Sequence, residues 1–166
     1  MAVNFEEAVR VVLSNEEGLT DHPSDVAGLT NFGITYSDLI TAINEEIVPH
    51  SVTIANLTKA QAIEIYRELY WNKLNLSRIE TQSIANKILD TSVNVGMHFG
   101  IVILQRAIRS ATGEMLNEDG FLGEKTLKAV NEAPPAALLA AYRSEQAARY
   151  REIVLRNPEQ RVFEKG

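Results

Sequence analysis

Glu16 is an acidic residue in the middle of an apolar helical stripe near the start of the chain. The apolar members of the stripe recur at the spacing of a core-facing helix, and they are Phe5, Ala8, Val9, Val12 and Leu13. At about 100° per residue, Glu16 falls roughly 20° from Phe5. Gly18 predicts that the helix ends here, and both burial and the negative C-terminal end of a helix raise the pKa of a carboxyl. Glu16 is therefore predicted to have the environment that a general acid needs near neutral pH.

A glycine-rich stretch follows and carries a second carboxylate, Asp25, nine residues after Glu16, with Thr30 five residues beyond. Two carboxyl groups flanking a bond are the minimum equipment for glycoside hydrolysis, one protonated donor and one ionised group that stabilises positive charge or activates water. A hydroxyl such as Thr30 can help to hold that water. The alternatives are structural: an ion pair for Glu16, a turn for Asp25 and a local turn bond for Thr30.

The composition excludes several classes of function. With no cysteine among 166 residues, the chain has neither a disulfide framework nor thiolate chemistry. No run approaches about 18 apolar residues, so we expect no membrane insertion, and a net charge of −6 argues against a nucleic-acid partner. His22, His50 and His98 lack the spacing of metal ligands. We interpret them as surface histidines and expect no metal and no cofactor.

The hydrophobic periodicity predicts a mainly α fold. Asn4 and Glu7 have the spacing of a reciprocal N-cap before a first helix that runs to about residue 17, and residues 18–35 are predicted to form a loop or short hairpin. Residues 72–82 come nearest to a linker. Further helices are predicted at residues 39–47, at residues 62–69 after a Thr58–Gln61 capping box, and at residues 84–89. A buried central helix is predicted at residues 100–108. After a loop at 112–123, a short helix and then a long last helix are predicted, and the last helix begins at Pro134 and Pro135.

The segment 16–34 resembles the N-terminal motif of glycoside hydrolase family 108, E-G-G-Y-x3-P-x-D-x-G-G-x-T-x2-G-I. Glu16 stands at the glutamate, Asp25 at the aspartate and Thr30 at the threonine. The spacing is also similar to the Glu–eight–Asp–five–Thr pattern of T4-type phage lysozymes, one residue shorter before the threonine. Later motifs similar to those of the family follow in order: Tyr70-Trp71, Asp90-x-x-Val93-Asn94-x-Gly96, Leu104-Gln105, the peptidoglycan-binding pattern Asp119-Gly120-x-x-Gly123-x-x-Thr126, Asn157-Pro158 and Phe163-x-x-Gly166.

Three positions depart from the motif. Glu17 replaces a glycine, Leu19 a tyrosine and Ala27 the first glycine of a pair. Leu19 removes a possible aromatic wall from a sugar site. Glu17 places a second acid beside Glu16, and two alternatives are open: its charge raises the pKa of Glu16 further by repulsion, or its side chain is simply solvated. These departures bear on specificity more than on the class of reaction.

Four downstream residues are candidate contacts with the substrate. Tyr70 and Trp71 form an aromatic pair that we interpret as core with one exposed edge, although sugar sites also stack on such rings. Asn94 follows a buried helical pattern, so its amide either ties the core or faces an N-acetyl group, and we favour the second. Asp90, four residues earlier, shares its helix face.

The resemblance implies a lysozyme-like fold with a catalytic region at 1–80 and a peptidoglycan-binding region at 81–166, packed as one monomeric unit. It implies hydrolysis of the β-1,4 bond between N-acetylmuramic acid and N-acetylglucosamine. Glu16 would be the general acid, and Asp25 would position water or stabilise the oxocarbenium-like state. A carboxyl separation near 5 Å indicates retention and one of roughly 6.5–9.5 Å inversion; the loop length favours the wider gap.

The first residues lack the basic and apolar regions of a signal peptide. We therefore expect synthesis in the cytoplasm and action on peptidoglycan glycan strands after release by a holin, as for a phage endolysin. An autolysin and a delivered effector are the alternatives for its biological role. A non-catalytic peptidoglycan-binding module and a hydrolase of another aminosugar polymer, such as chitin, are the alternatives for its activity.

Overall fold

The computed structural model describes residues 2–14 and 30–156. Within these ranges the chain is mainly α, as predicted, and its strand-like pairing is a bridge between Asn31 and Ile34. No helix in these ranges is both long enough and apolar enough to cross a membrane. The α-helices are α1 (Phe5–Ser14), α2 (Tyr36–Asn44), α3 (Lys59–Tyr66), α4 (Gln82–Val95), α5 (Met97–Thr112), α6 (Glu124–Glu132) and α7 (Pro135–Arg156), with a π turn at Arg67–Trp71 and a 3₁₀ turn at Leu76–Arg78.

Helix α4 lies at the centre of the molecule, because α1, α5 and α7 all pack against it. Its inward residues are almost fully buried: Ile84, Ala85, Ile88, Leu89, Thr91 and Ser92. Helix α5 is buried over most of its circumference from Gly100 to Ile108, which confirms the predicted central apolar helix. Burial on several faces explains why its apolar residues do not form a single stripe.

The start of α1 is held by a residue far along the chain. The Asn4 side chain accepts a hydrogen bond from the Glu7 backbone N–H at 2.8 Å, as predicted. The reciprocal bond, from the Asn4 N–H to the Glu7 side chain, is replaced by bonds with Gln82. The Asn4 N–H donates to Gln82 Oε1 at 2.8 Å, and Gln82 Nε2 donates to the Asn4 carbonyl at 3.0 Å. Glu7 instead pairs with Arg10. The predicted reciprocal N-cap is therefore replaced by a bridge between the first turns of α1 and α4.

Helix α2 ends earlier than its apolar pattern predicts. Ile47 lies beyond the last helical residue, Asn44, and its N–H donates to the Ala42 carbonyl at 2.8 Å, while the Glu46 N–H donates to the Ile43 carbonyl. This is a Schellman ending with Glu46 at φ 60°. A glycine normally signals such an ending, and its absence here concealed the stop from the periodicity.

The segment 72–82, predicted as the nearest thing to a linker, packs into the fold. Leu76 and Ile79 are fully buried. Asn131 on α6 donates to the Arg78 carbonyl and accepts from the Glu80 N–H, so this connection is fixed to the second half of the chain.

Candidate active site

The two predicted carboxylates, Glu16 and Asp25, lie outside the residues that the structure describes. The flanking elements are described, α1 up to Ser14 on one side and the chain from Thr30 on the other. The described part of the candidate site therefore consists of these two flanks and the residues whose packing sets their positions.

The orientation of α1 is set by its buried face. Phe5, Ala8, Val9 and Val12 are buried, as the stripe predicts. The Phe5 ring packs edge-on against Trp71 with centroids 5.5 Å apart, and the Arg67 guanidinium lies 4.5 Å from the Phe5 centroid. These contacts fix the rotation of α1 about its axis over the whole of its described length.

Thr30 opens a tight turn that is tied to the loop before α3. Phe32 and Gly33 both have positive φ, 55° and 79°, between the bridged residues Asn31 and Ile34; this is the conformation of a two-residue hairpin turn. Asn31 Nδ2 donates to the Ile54 carbonyl at 2.9 Å. The turn agrees with the predicted loop or short hairpin, and Thr30 itself is only 9% exposed.

The hairpin turn is anchored a second time by an aromatic hydroxyl. Tyr66 Oη donates to the Phe32 carbonyl at 2.7 Å, and the Tyr66 and Tyr70 rings lie 5.8 Å apart. The turn, α3 and the π turn after it therefore form one connected unit beneath the Thr30 side of the candidate site.

Tyr70 and Trp71 lie mainly in the core. Trp71 is 5% exposed and covers Phe5. Tyr70 is also buried, and its hydroxyl donates to Asp38 Oδ1 at 2.9 Å at the edge of a shallow depression of about 130 Å³ that Lys73 and Met97 also line. Their role as substrate contacts stays a prediction, and Tyr70 is the member of the pair that borders an open depression.

Asp38 is a further polar residue of this region, and the motifs in the sequence do not include it. Burial raises the pKa of its carboxyl, while hydrogen bonds from Tyr70 and Thr35 act in the opposite direction. Thr35 also caps α2, since its side chain accepts from the Asp38 N–H at 3.1 Å. The three-residue spacing from Thr35 to Asp38 was the available signal, but nothing local indicated that Tyr70 would cover the carboxyl.

Asp90 and Asn94 share a face of α4 that is only partly covered by the rest of the fold. Asn94 is exposed and Asp90 half-buried, so the prediction that Asn94 is a buried amide is wrong. At about 100° per residue, Asn94 lies roughly 120° around the helix from Ile88 and Asp90 roughly 160°. The Asp90 charge opposes the lowering of the Lys87 pKa by burial and adds to the raising of the Tyr142 pKa by burial. Asp90 is thus near α7, and its role toward substrate stays a prediction.

An open apolar groove of about 590 Å³ lies between α2 and the loop that receives Asn31. Leu39, Ile40 and Ile43 form one wall. Tyr36 stands at the groove with 63% of its surface exposed. An exposed aromatic face beside apolar walls suits the apolar face of a sugar ring better than it suits an ion.

The predicted peptidoglycan-binding pattern folds around a buried amide, Gln105. Its Nε2 donates to Asp119 Oδ1, the Phe121 carbonyl and Thr126 Oγ1 at 3.1–3.2 Å, and its Oε1 accepts from the Gly120 N–H at 3.1 Å. The bond from Gln105, followed by the Phe121 N–H, lowers the pKa of Asp119. The amide explains how the Asp, Gly and Thr of the pattern act together, as the residues that hold one loop.

The comparison with known families assigns both halves of the chain. Residues 9–96 match the family described as Glycosyl hydrolase 108, and residues 99–166 match the one described as Predicted Peptidoglycan domain. The chain belongs to the glycosyl hydrolase 108 family. No curated protein sequence matches it.

A solved structure agrees with the fold of this family 108 protein. The structure of Brucella abortus SagA is 30% identical in sequence, with a TM-score of 0.71 over 87% of this chain and 78% of SagA. The predicted mainly α, lysozyme-like fold is confirmed. The family and the second domain together make the protein a glycoside hydrolase that acts on peptidoglycan.

The boundary between the two family matches falls at the junction of α4 and α5. The hairpin turn, the Asp38–Tyr70 pair and the apolar groove all belong to the glycosyl hydrolase segment, whereas the loop around Gln105 belongs to the peptidoglycan segment. The family 108 protein thus keeps its candidate catalytic flanks and its candidate wall-binding loop on different helices.

Proposed function

We propose that this family 108 protein is an N-acetylmuramidase that cleaves the β-1,4 bond between N-acetylmuramic acid and N-acetylglucosamine. Glu16 protonates the leaving oxygen, while Asp25 stabilises the oxocarbenium-like state or directs water, with Thr30 helping to hold that water. The bond from C1 of the muramic acid to O4 of the glucosamine breaks. O4 takes the proton of Glu16, and C1 takes the hydroxyl of water, whose remaining proton restores the active site.

The observation that carries the proposal is the buried face of α1. Val12 is fully buried and Phe5 nearly so, and Glu16 follows Val12 by four positions and Phe5 by eleven, the spacings of one helix face. Phe5 is fixed against Trp71, so the face has a defined direction. Glu16 is also the glutamate of the family motif. The helical spacing and the motif therefore select the same acid independently.

The first prediction compares two neighbouring acids. Glu16→Gln removes the proton donor and keeps the shape, so clearing of purified cell walls is expected to fall by at least about 100-fold, the low end for one general acid. Glu17→Gln makes the same chemical change one residue along and is expected to keep activity within a few-fold. Turbidity of the wall suspension measures both, with circular dichroism as the folding check. A folded Glu16→Gln protein with wild-type clearing would refute the assignment.

The bond and the reaction are tested by the products. Digestion of purified sacculi in ¹⁸O-labelled water should yield new reducing ends on N-acetylmuramic acid that carry one ¹⁸O atom, detected by mass spectrometry after borohydride reduction. New reducing ends on N-acetylglucosamine would identify a different bond, and products without ¹⁸O would contradict hydrolysis. Binding of sacculi with no product at all would favour a non-catalytic module, and release of sugar from chitin instead would favour another polymer.

Tyr70, Asp90 and Asn94 are proposed contacts with the glycan, and Trp71 is proposed to act behind them. The exposed position of Asn94 leaves its amide available to an N-acetyl group, and Tyr70 borders a depression. Trp71 is nearly all buried, so its contribution is to support Phe5 and α1.

We further propose the biological role of a phage endolysin that waits in the cytoplasm until a holin opens the membrane. The support is the similar spacing of its acids to that in phage lysozymes. Production of the protein in the bacterial cytoplasm should leave growth unchanged until the membrane is permeabilised, after which the culture should clear. Clearing before permeabilisation, absent with Glu16→Gln, would contradict this role.

A further inference from the structure

Arg149 on α7 has no acidic partner among the residues that the structure describes, although acids outnumber bases in the sequence, 22 to 16. Its guanidinium carbon lies 4.2 Å from the centroid of the Phe99 ring. Among the residues that the structure describes, no carboxylate lies within ion-pair distance of this guanidinium, and its buried Nε has no hydrogen-bond acceptor. A buried donor without an acceptor is unfavourable. The buried Nε is out of reach of a ligand in solution, so an anion would meet the terminal guanidinium nitrogens, which are not among the buried unbonded atoms.

Phe99 connects Arg149 to an exposed histidine. Phe99 is itself 42% exposed, and the His98 ring meets it edge-on with centroids 5.2 Å apart. On its other side, the His98 imidazole lies against Gly120, where φ is 78° and no Cβ would fit. The close approach of histidine to backbone therefore requires the glycine.

The loop beyond Gly120 adds a second exposed ring. Phe121 is 70% exposed, and its N–H donates to Asp119 Oδ1 at 3.0 Å. In this loop, Gln105 Nε2 and the Phe121 N–H both donate to Asp119 Oδ1. Asp119 therefore helps to hold the loop, Glu118 pairs with Arg106, and neither lies within ion-pair distance of Arg149.

We call the residues Phe121, Gly120, His98, Phe99 and Arg149 the Arg149 surface. It combines two exposed aromatic rings with a planar cation that pairs with no acid in the described part of the chain. A guanidinium presents parallel N–H groups that match a carboxylate, and the rings suit apolar faces of a sugar or of small side chains. A neutral glycan would use the rings and leave the cation without an anion.

We propose that the Arg149 surface binds the carboxylate-bearing peptide stem of peptidoglycan. The inference rests on the proposed function for the identity of the polymer. It adds that wall recognition by the second half of the chain depends on the peptide as well as on the sugar, through a salt bridge from Arg149 to a stem carboxylate.

The test measures binding of a purified disaccharide–tetrapeptide and of the same compound with its carboxylates converted to amides. The disaccharide has N-acetylglucosamine linked to an N-acetylmuramic acid whose own C1 is free. It therefore lacks the bond proposed to be cut, which runs from C1 of muramic acid to the next glucosamine, and binding is separated from cleavage. Calorimetry on the full chain should show at least about tenfold tighter binding of the acid form. Arg149→Gln should abolish that preference, while Arg151→Gln, which removes an exposed arginine two residues along α7, should retain it. Arg149→Lys keeps the positive charge but loses the parallel N–H groups of the guanidinium. Its preference for the acid form should therefore lie between those of the wild type and Arg149→Gln.

Equal binding of acid and amide forms by the wild-type protein, or an unchanged preference in Arg149→Gln, would overturn the inference. Clearing of sacculi by the same wild-type preparation separates the two proposals. A protein that clears sacculi but shows no preference refutes only the stem contact. One that shows the Arg149-dependent preference but clears nothing refutes the muramidase and retains the stem contact.

Discussion

Asp38 is held in a partly buried position by hydrogen bonds from Tyr70 and Thr35. Burial outweighs these bonds, so the pKa of its carboxyl is raised from the ordinary value of 3.8. The folded state therefore holds this proton more tightly than the unfolded state does. By linkage, the contribution of Asp38 to stability is most favourable below pH 3.8 and declines as the pH rises through the folded pKa.

We predict that the stability difference between Asp38→Asn and the wild type depends on pH. Asparagine keeps an acceptor for Tyr70 but carries no charge, so the variant should gain stability relative to the wild type as the pH rises from about 4 to 7. Below that range the difference should be constant. Urea unfolding at a series of pH values measures it, with the exposed Glu114→Gln as a control for loss of one negative charge. A difference that stays flat across the series would show that burial does not raise this pKa.

The helices α4 and α5 approach closely where Gly100 faces Ser92. A Cβ at Gly100 would lie 2.6 Å from Ser92 Oγ and 3.0 Å from Ser92 Cα. Ser92 Oγ is buried and has no hydrogen-bond partner. Tyr142 on α7 reaches the same place and donates to the Gly100 carbonyl at 2.8 Å. The close packing of α4 on α5 therefore requires a residue without a Cβ at position 100.

Gly100→Ala is predicted to destabilise the protein although alanine favours helices. An overpacking cost of about 1–3 kcal/mol is offset by roughly 1 kcal/mol of helix propensity, which leaves a net loss of up to about 2 kcal/mol. Ser92→Ala removes an unsatisfied hydroxyl and is expected to be neutral or stabilising by up to about 1 kcal/mol.

Chemical denaturation of both single variants and the double variant tests this crossing. Removal of Ser92 Oγ relieves part of the clash, so the double variant should be more stable than the sum of the single effects implies. Simple additivity would mean that the helices move apart instead.

At the scale of the whole molecule, one apolar core runs through the described ranges from Phe5 in α1 to Tyr142 in α7. The two family matches meet between α4 and α5, but α4 packs on α1 from its own segment and on α5 and α7 from the other. Unfolding of either segment would expose a buried face of α4.

We therefore predict a single cooperative thermal transition. Calorimetry should give a calorimetric enthalpy equal to the van't Hoff enthalpy. Separate transitions for the two segments, or a ratio well above one, would show that the shared face of α4 contributes little to their coupling.

Local signals predicted the helices well because the interactions that define them are local. The Thr58–Gln61 capping box is present, with both bonds, within four residues. The α1 stripe needed only the helical period. The end of α2 was missed because Glu46 adopts a conformation that usually belongs to glycine, and the partner of Asn4 was missed because Gln82 is 78 residues away.

The sequence by itself determined the class of fold and the register of α1, because both depend on spacings within one helix, and its motifs identified the family. Tertiary structure decided which polar groups are buried. Asp38 became a covered carboxyl because Tyr70 packs over it, and Asn94 became exposed because α4 turns it outward. Arg149 came to lie against Phe99, with no acidic partner within the described ranges. Each of these depends on contacts between residues distant in the chain, whose positions no local pattern records.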